Sequence, residues 1–108
     1  MVAQPESVLP EVRVNGIALV AVDGELDLAT AEAFGDRLVR LIDGGCPRLV
    51  VDVAGLTFCD SSGLSALLRA TKHASSAGGN VTLVGIRPQL SHIMQITDLD
   101  RQFESSPK

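Results

Sequence analysis

Two short β-rich runs open the chain, Val8 to Val14 and Ile17 to Val22, separated by Asn15-Gly16, a pair that readily takes the positive φ angles of a type I′ turn. The pattern predicts an antiparallel hairpin. Pro10 has no amide hydrogen to give a neighbour, so the first run is an edge strand or begins after that residue. The second run ends at Gly24, and Gly24-Glu25-Leu26-Asp27 reads as a loop leading to Thr30 as the N-cap of a helix. Phe34, Leu38, Leu41 and Ile42 recur at helical spacing in that helix, and Gly44-Gly45 stops it.

Arg48 to Val53 is the next strand, and its nearly unbroken apolar run is that of a strand covered on both faces or central in a sheet. Strand, helix and strand in succession form a parallel crossover, which brings the loops after Gly24 and after Val53 to one edge of the sheet. Asp27 and Asp60 are therefore expected to be neighbours. A second helix begins at Ser61, with Leu64, Leu67, Leu68 and Thr71 on one face and Arg69, Lys72 and His73 largely off it. Gly78-Gly79-Asn80 ends it, Val81 to Val84 is another strand, and Pro88 suits the first turn of a third helix reaching about Ile96. Leu99 and Phe103 are expected to pin a final short element, with flexible tails at 1–7 and 104–108. The sum is one α/β domain over residues 1–108.

Composition narrows the function. With 45% apolar and 20% charged residues the chain belongs among soluble globular proteins, and its apolar runs are too short to span a bilayer. The first residues, MVAQPESVLPEV, lack the basic start and apolar core of a signal peptide, so a cytoplasmic location is the default. A net charge of −4 with no lysine or arginine cluster argues against direct nucleic-acid binding. Cys46 and Cys59 lack the spacing of a metal pair and are expected to be reduced thiols. No metal site and no cofactor is expected.

The chemistry concentrates at Asp60-Ser61-Ser62-Gly63, where three oxygen-bearing side chains and a glycine stand at the start of a helix. Their oxygens can accept the free N–H groups of the first turn, and such a turn also tolerates an anion. The bland reading is a capping cluster. The functional reading is a serine phosphoacceptor at the positive end of the helix dipole. Asp27 divides evenly between capping a helix and contacting a partner, with Glu25 a weaker version of the same choice. Cys59 reads as a small residue packed at a strand end, and His73 and His92 as solvent-facing. A hydrolase using Ser61 or Ser65 as nucleophile has little support, since Gly63-Leu64-Ser65-Ala66-Leu67 lacks the second glycine of a nucleophile elbow. No P-loop or GxGxxG run is present.

Two segments carry a resemblance: VDGELDLATAEAF, Val22 to Phe34, and the more specific VDVAGLTFCDSSGL, Val51 to Leu64. From about Val12 to about Phe103 the chain resembles the anti-sigma factor antagonists (anti-anti-sigma factors) of the STAS domain family. The resemblance implies a small mixed β-sheet with about three to four helices packed mainly on one face. It also implies a non-enzymatic partner switch. In that family the serine directly after the motif aspartate is phosphorylated by the anti-sigma factor, itself a serine kinase, which makes Ser61 the acceptor and Ser62 its neighbour. Asp27, Asp60, Ser61, Ser62 and Gly63 would then form the partner-binding edge, with a serine phosphatase to reset it. The alternative within the same fold is a scaffold or sensor module in another signalling complex.

Overall fold

The Asn15-Gly16 turn closes in the expected form, with φ of 52° and 80° at its two residues. It joins β1 (Val12–Val14) to β2 (Ile17–Leu26), antiparallel, with Val14 opposite Ile17. The structure, a computed structural model, describes residues 12–96 and 104–105; Pro10, Leu99 and Phe103 lie outside the described residues.

β2 does not end at Gly24. It runs to Leu26 beside β3 (Arg48–Cys59), which likewise runs past Val53, and the two are parallel from Ile17↔Arg48 to Leu26↔Cys59. Register shifts between Ala21 and Asp23 and between Gly24 and Glu25 absorb the polar and glycine residues that interrupt the apolar pattern. The Thr57 hydroxyl ties the irregular stretch together by donating to the Gly24 carbonyl at 3.0 Å.

β4 (Asn80–Val84) pairs parallel with β3, and β5 (Glu104–Ser105) parallel with β4, giving the sheet order β1-β2-β3-β4-β5. Glu104 and Ser105, assigned to a flexible tail from the sequence, are thus strand residues. The sheet is mixed, antiparallel only at β1. Three helices occur among the described residues: α1 (Leu28–Asp43), α2 (Ser61–Ser76) and α3 (Pro88–Ile96).

Register explains the core. Ala18, Leu49 and Val81 stand in one row across β2, β3 and β4, and Val20, Val51 and Leu83 in the next, all essentially buried. Phe34 and Leu38 of α1 and Leu64 and Leu67 of α2 belong to the same buried cluster. The alternate row, Leu19, Val50 and Thr82, points the other way, and Leu19 is 46% exposed. β3 is therefore central in the sheet but buried on one face only. Its run of valines gains from β propensity as much as from burial. Among the described residues no helix is long and apolar enough to cross a membrane.

Candidate functional site

Parallel pairing of Leu26 with Cys59 sets the next residue of each strand, Asp27 and Asp60, at one edge of the sheet, and the Asp60 amide donates to the Leu26 carbonyl at 3.2 Å. Each aspartate leaves its strand in extended conformation and caps the helix that follows. The Asp27 carboxylate accepts from the Ala29 amide at 3.0 Å and the Thr30 amide at 3.2 Å, while the Thr30 hydroxyl accepts from the Asp27 amide at 3.0 Å. This reciprocal box makes Asp27 the N-cap and Thr30 the third helical residue, so α1 starts earlier than the sequence reading placed it. Thr30 stood out in the sequence because either position favours a hydroxyl.

At α2 the Asp60 carboxylate accepts from the Ser62 amide at 2.9 Å and the Gly63 amide at 3.2 Å. The division of labour differs from the expectation that all three oxygen-bearing side chains would cap. Asp60 does it alone. The Ser61 and Ser62 hydroxyls make no hydrogen bond among the described residues; Ser61 is exposed and Ser62 half-buried. Two first-turn N–H groups are thereby used, which leaves less room for an anion to be bound by the helix end itself.

Gly63, expected at the partner-binding edge, also has a packing role. It is buried, and a Cβ there would lie 2.7 Å from the Cys59 sulfur and 2.9 Å from the Leu26 carbonyl oxygen. Its missing side chain lets α2 start against the ends of β2 and β3. Cys59 is packed at the strand end as expected, with its thiol pKa pushed up to about 11 by burial and then by the Asp60 carboxylate. At neutral pH the thiol stays protonated and unreactive.

Around Ser61 the structure forms a groove of about 400 Å³ between the first turns of α1 and α2, lined by Leu28, Glu32, Ser61, Ser62, Ser65 and Arg69 among others. Leu28 is 81% exposed. Arg69 crosses from α2 to α1, pairing with the Asp36 carboxylate at 3.0 Å, and its guanidinium occupies the space a side chain at Gly35 would take. Leu28, Glu32 and Arg69 were missed from the sequence as site residues. Leu28 is in phase with buried Ala31, so periodicity assigns it inward; only the first turn's exposure reveals it.

His73, expected to face solvent, is half-buried and bonded through Nε2 to the Asp43 carboxylate at 2.7 Å, a contact between the ends of α1 and α2. His92 is exposed. No hydrogen bond links either histidine to Ser61 or Ser65 among the described residues, and His73 lies 12 positions beyond Ser61 on α2, roughly 18 Å along the axis.

Comparison with known proteins agrees with this geometry. The family model described as Mlab, STAS domain, matches residues 12–104. The anti-sigma-F factor antagonist RsfB of Mycobacterium tuberculosis is 29% identical over 98 residues, covering 84% of this chain and 76% of its own. An anti-sigma factor antagonist from Mycobacterium paratuberculosis superposes with a TM-score of 0.80 at 26% identity, over 99% of this chain and 92% of that one. SpoIIAA, an anti-sigma factor antagonist, shares the fold in its unphosphorylated form, with a TM-score of 0.76 at 19% identity over 94% of this chain and 88% of that one. Its phosphorylated form, from Bacillus, matches with a TM-score of 0.74 at 20% identity over 94% and 92%. With sheet order, capped turn and a family match spanning nearly all described residues, the chain belongs to the STAS domain family.

Proposed function

We propose that this chain is an anti-sigma factor antagonist whose phosphoacceptor is Ser61 and whose docking surface is the α1–α2 groove. The observation that carries the reading is an exposed Ser61 hydroxyl, without a hydrogen bond among the described residues, at the first position of α2, one wall of a groove whose rim holds an exposed leucine. The names of the relatives support the partner class, an anti-sigma factor. The partner kinase supplies ATP and base; the Ser61 oxygen attacks the terminal phosphorus, ADP leaves, and the hydroxyl proton passes to the kinase. A serine phosphatase returns the chain to its binding form, and the whole cycle belongs in the cytoplasm.

Electrostatics gives the switch its sign. Phosphate adds about −1.5 to −2 charge. It enters an edge that already holds Asp27, Asp60 and Glu32, while Arg69 is engaged by Asp36. The added charge cannot be buried in an interface without a new cation, so the complex weakens.

The test is incubation with the cognate anti-sigma kinase and ATP, mass spectrometry of the product, and measurement of partner affinity. One phosphate on Ser61, none on Ser61→Ala, and weaker binding by Ser61→Asp than by the unmodified chain are expected. Modification persisting in Ser61→Ala would move the acceptor. Capture of a transporter or sensor assembly in place of an anti-sigma factor would favour the scaffold role.

A further inference from the structure

With no lining residue in common with the groove around Ser61, the end of β3 and the start of α3 enclose a separate cleft of about 250 Å³. Val53, Leu56, Phe58 and Leu90 supply its apolar walls, and Thr57 of β3, Arg87 just before α3 and Gln89 in the first turn of α3 are polar groups on its lining. Val53, Leu56 and Leu90 belong to the buried core, whereas Phe58 is 51% exposed. A large aromatic ring left half in water beside an open apolar cleft is a surface awaiting a ligand. Arg87 is exposed, and no described carboxylate pairs with it.

We infer that this cleft binds a small aliphatic carboxylate, its acyl chain against Val53, Leu56, Phe58 and Leu90 and its acid group on the Arg87 guanidinium. Charge selects the head group: arginine presents a fork that matches a carboxylate. The Asp60 carboxylate does not line the cleft and is bonded to the Ser62 and Gly63 amides, while its charge is felt on the lining at Cys59. Cys59, which does line it, stays protonated. Size selects the tail: the volume lies below the roughly 300–1,000 Å³ of pockets for drug-sized ligands, so one short chain fits and a two-chain lipid does not. This site is separate from the phosphorylation reading and stands or falls without it.

The experiment titrates the full chain with octanoate below its micelle concentration, followed by amide chemical shifts, with 1-octanol as the uncharged counterpart. Saturable shifts at Phe58, Cys59, Gln89 and Leu90 are expected, with affinity rising about fourfold per methylene from butanoate to octanoate. Arg87→Gln should weaken octanoate by about tenfold and leave octanol unchanged. Phe58→Asp should weaken both. Arg87 and Phe58 are exposed, so both variants should keep the circular-dichroism spectrum of the parent. Octanol binding as tightly as octanoate, an Arg87→Gln protein with unaltered octanoate affinity, or absence of shifts at these residues at millimolar octanoate would each overturn the assignment.

Discussion

Gly63 and Cys59 show how closely the site is fitted together. Replacing Gly63 by Ala would gain helix propensity of about 0.5–1 kcal/mol. The new methyl, however, meets the Leu26 carbonyl at 2.9 Å and the Cys59 sulfur at 2.7 Å, and the former is backbone that cannot turn aside. Overpacking of that kind costs about 1–3 kcal/mol, so a net loss of about 1–2 kcal/mol in denaturant unfolding is expected. Cys59 offers a reading by pH. Its thiol is held near 11 against an ordinary 9.0, so at pH 8 iodoacetamide should modify it roughly a hundredfold more slowly than the unfolded chain. The sign follows from linkage. The native state keeps the proton that the unfolded chain releases, so this contribution to stability is whole below pH 9.0 and lost as pH rises towards 11. Rapid alkylation at pH 8 in the native state would mean the corner opens readily.

At the scale of elements, α1 and α2 behave as two capped helices hung from adjacent parallel strands, and the groove is the space between their first turns. Leu28 tests whether that groove binds anything. Because it is 81% exposed, Leu28→Asp should change stability by no more than about 0.5 kcal/mol, aided by a carboxylate at the helix N-terminus. Affinity for the anti-sigma factor should fall about tenfold if the leucine is a docking anchor. Unchanged affinity would place the interface elsewhere. The elements themselves were largely readable: the hairpin from Asn15-Gly16, α2 from Asp60 onward, and the crossover that makes Asp27 and Asp60 neighbours. Strand ends were not, because β2 and β3 continue through bulges at Asp23 to Glu25, where alternation breaks while parallel pairing persists. Nor was the pair between Arg69 and Asp36, which depends on how α1 and α2 lie against each other, a relation that no single-helix periodicity encodes. Both partners are about half exposed, so its worth is that of a surface pair, about 0–1 kcal/mol.

Taken as a whole molecule, the sheet separates what must stay fixed from what changes. The rows from Ala18 to Val81 and from Val20 to Leu83 anchor both helices from beneath, and Asp60 holds the first turn of α2 through amides that a phosphate on Ser61 does not need. The fold of this chain matches the unphosphorylated and phosphorylated forms of SpoIIAA almost equally, with TM-scores of 0.76 and 0.74. Phosphorylation of Ser61 should therefore act as surface charge. Amide shifts in the modified chain should be confined to the first turns of α1 and α2, around Asp27 to Glu32 and Asp60 to Ser65. Hydrogen-exchange protection in β3 and β4 should not change. The melting temperature should move by no more than a few degrees, since a new exposed charge near two aspartates costs on the order of 1 kcal/mol or less. Perturbation reaching β4 or α3 would mean instead that the phosphate displaces Asp60 from its amides. Asp60→Asn separates the two cases, because it keeps an amide-accepting oxygen and removes the charge. A local switch predicts milder inhibition by phosphate in that variant, with the pattern of shifts unaltered.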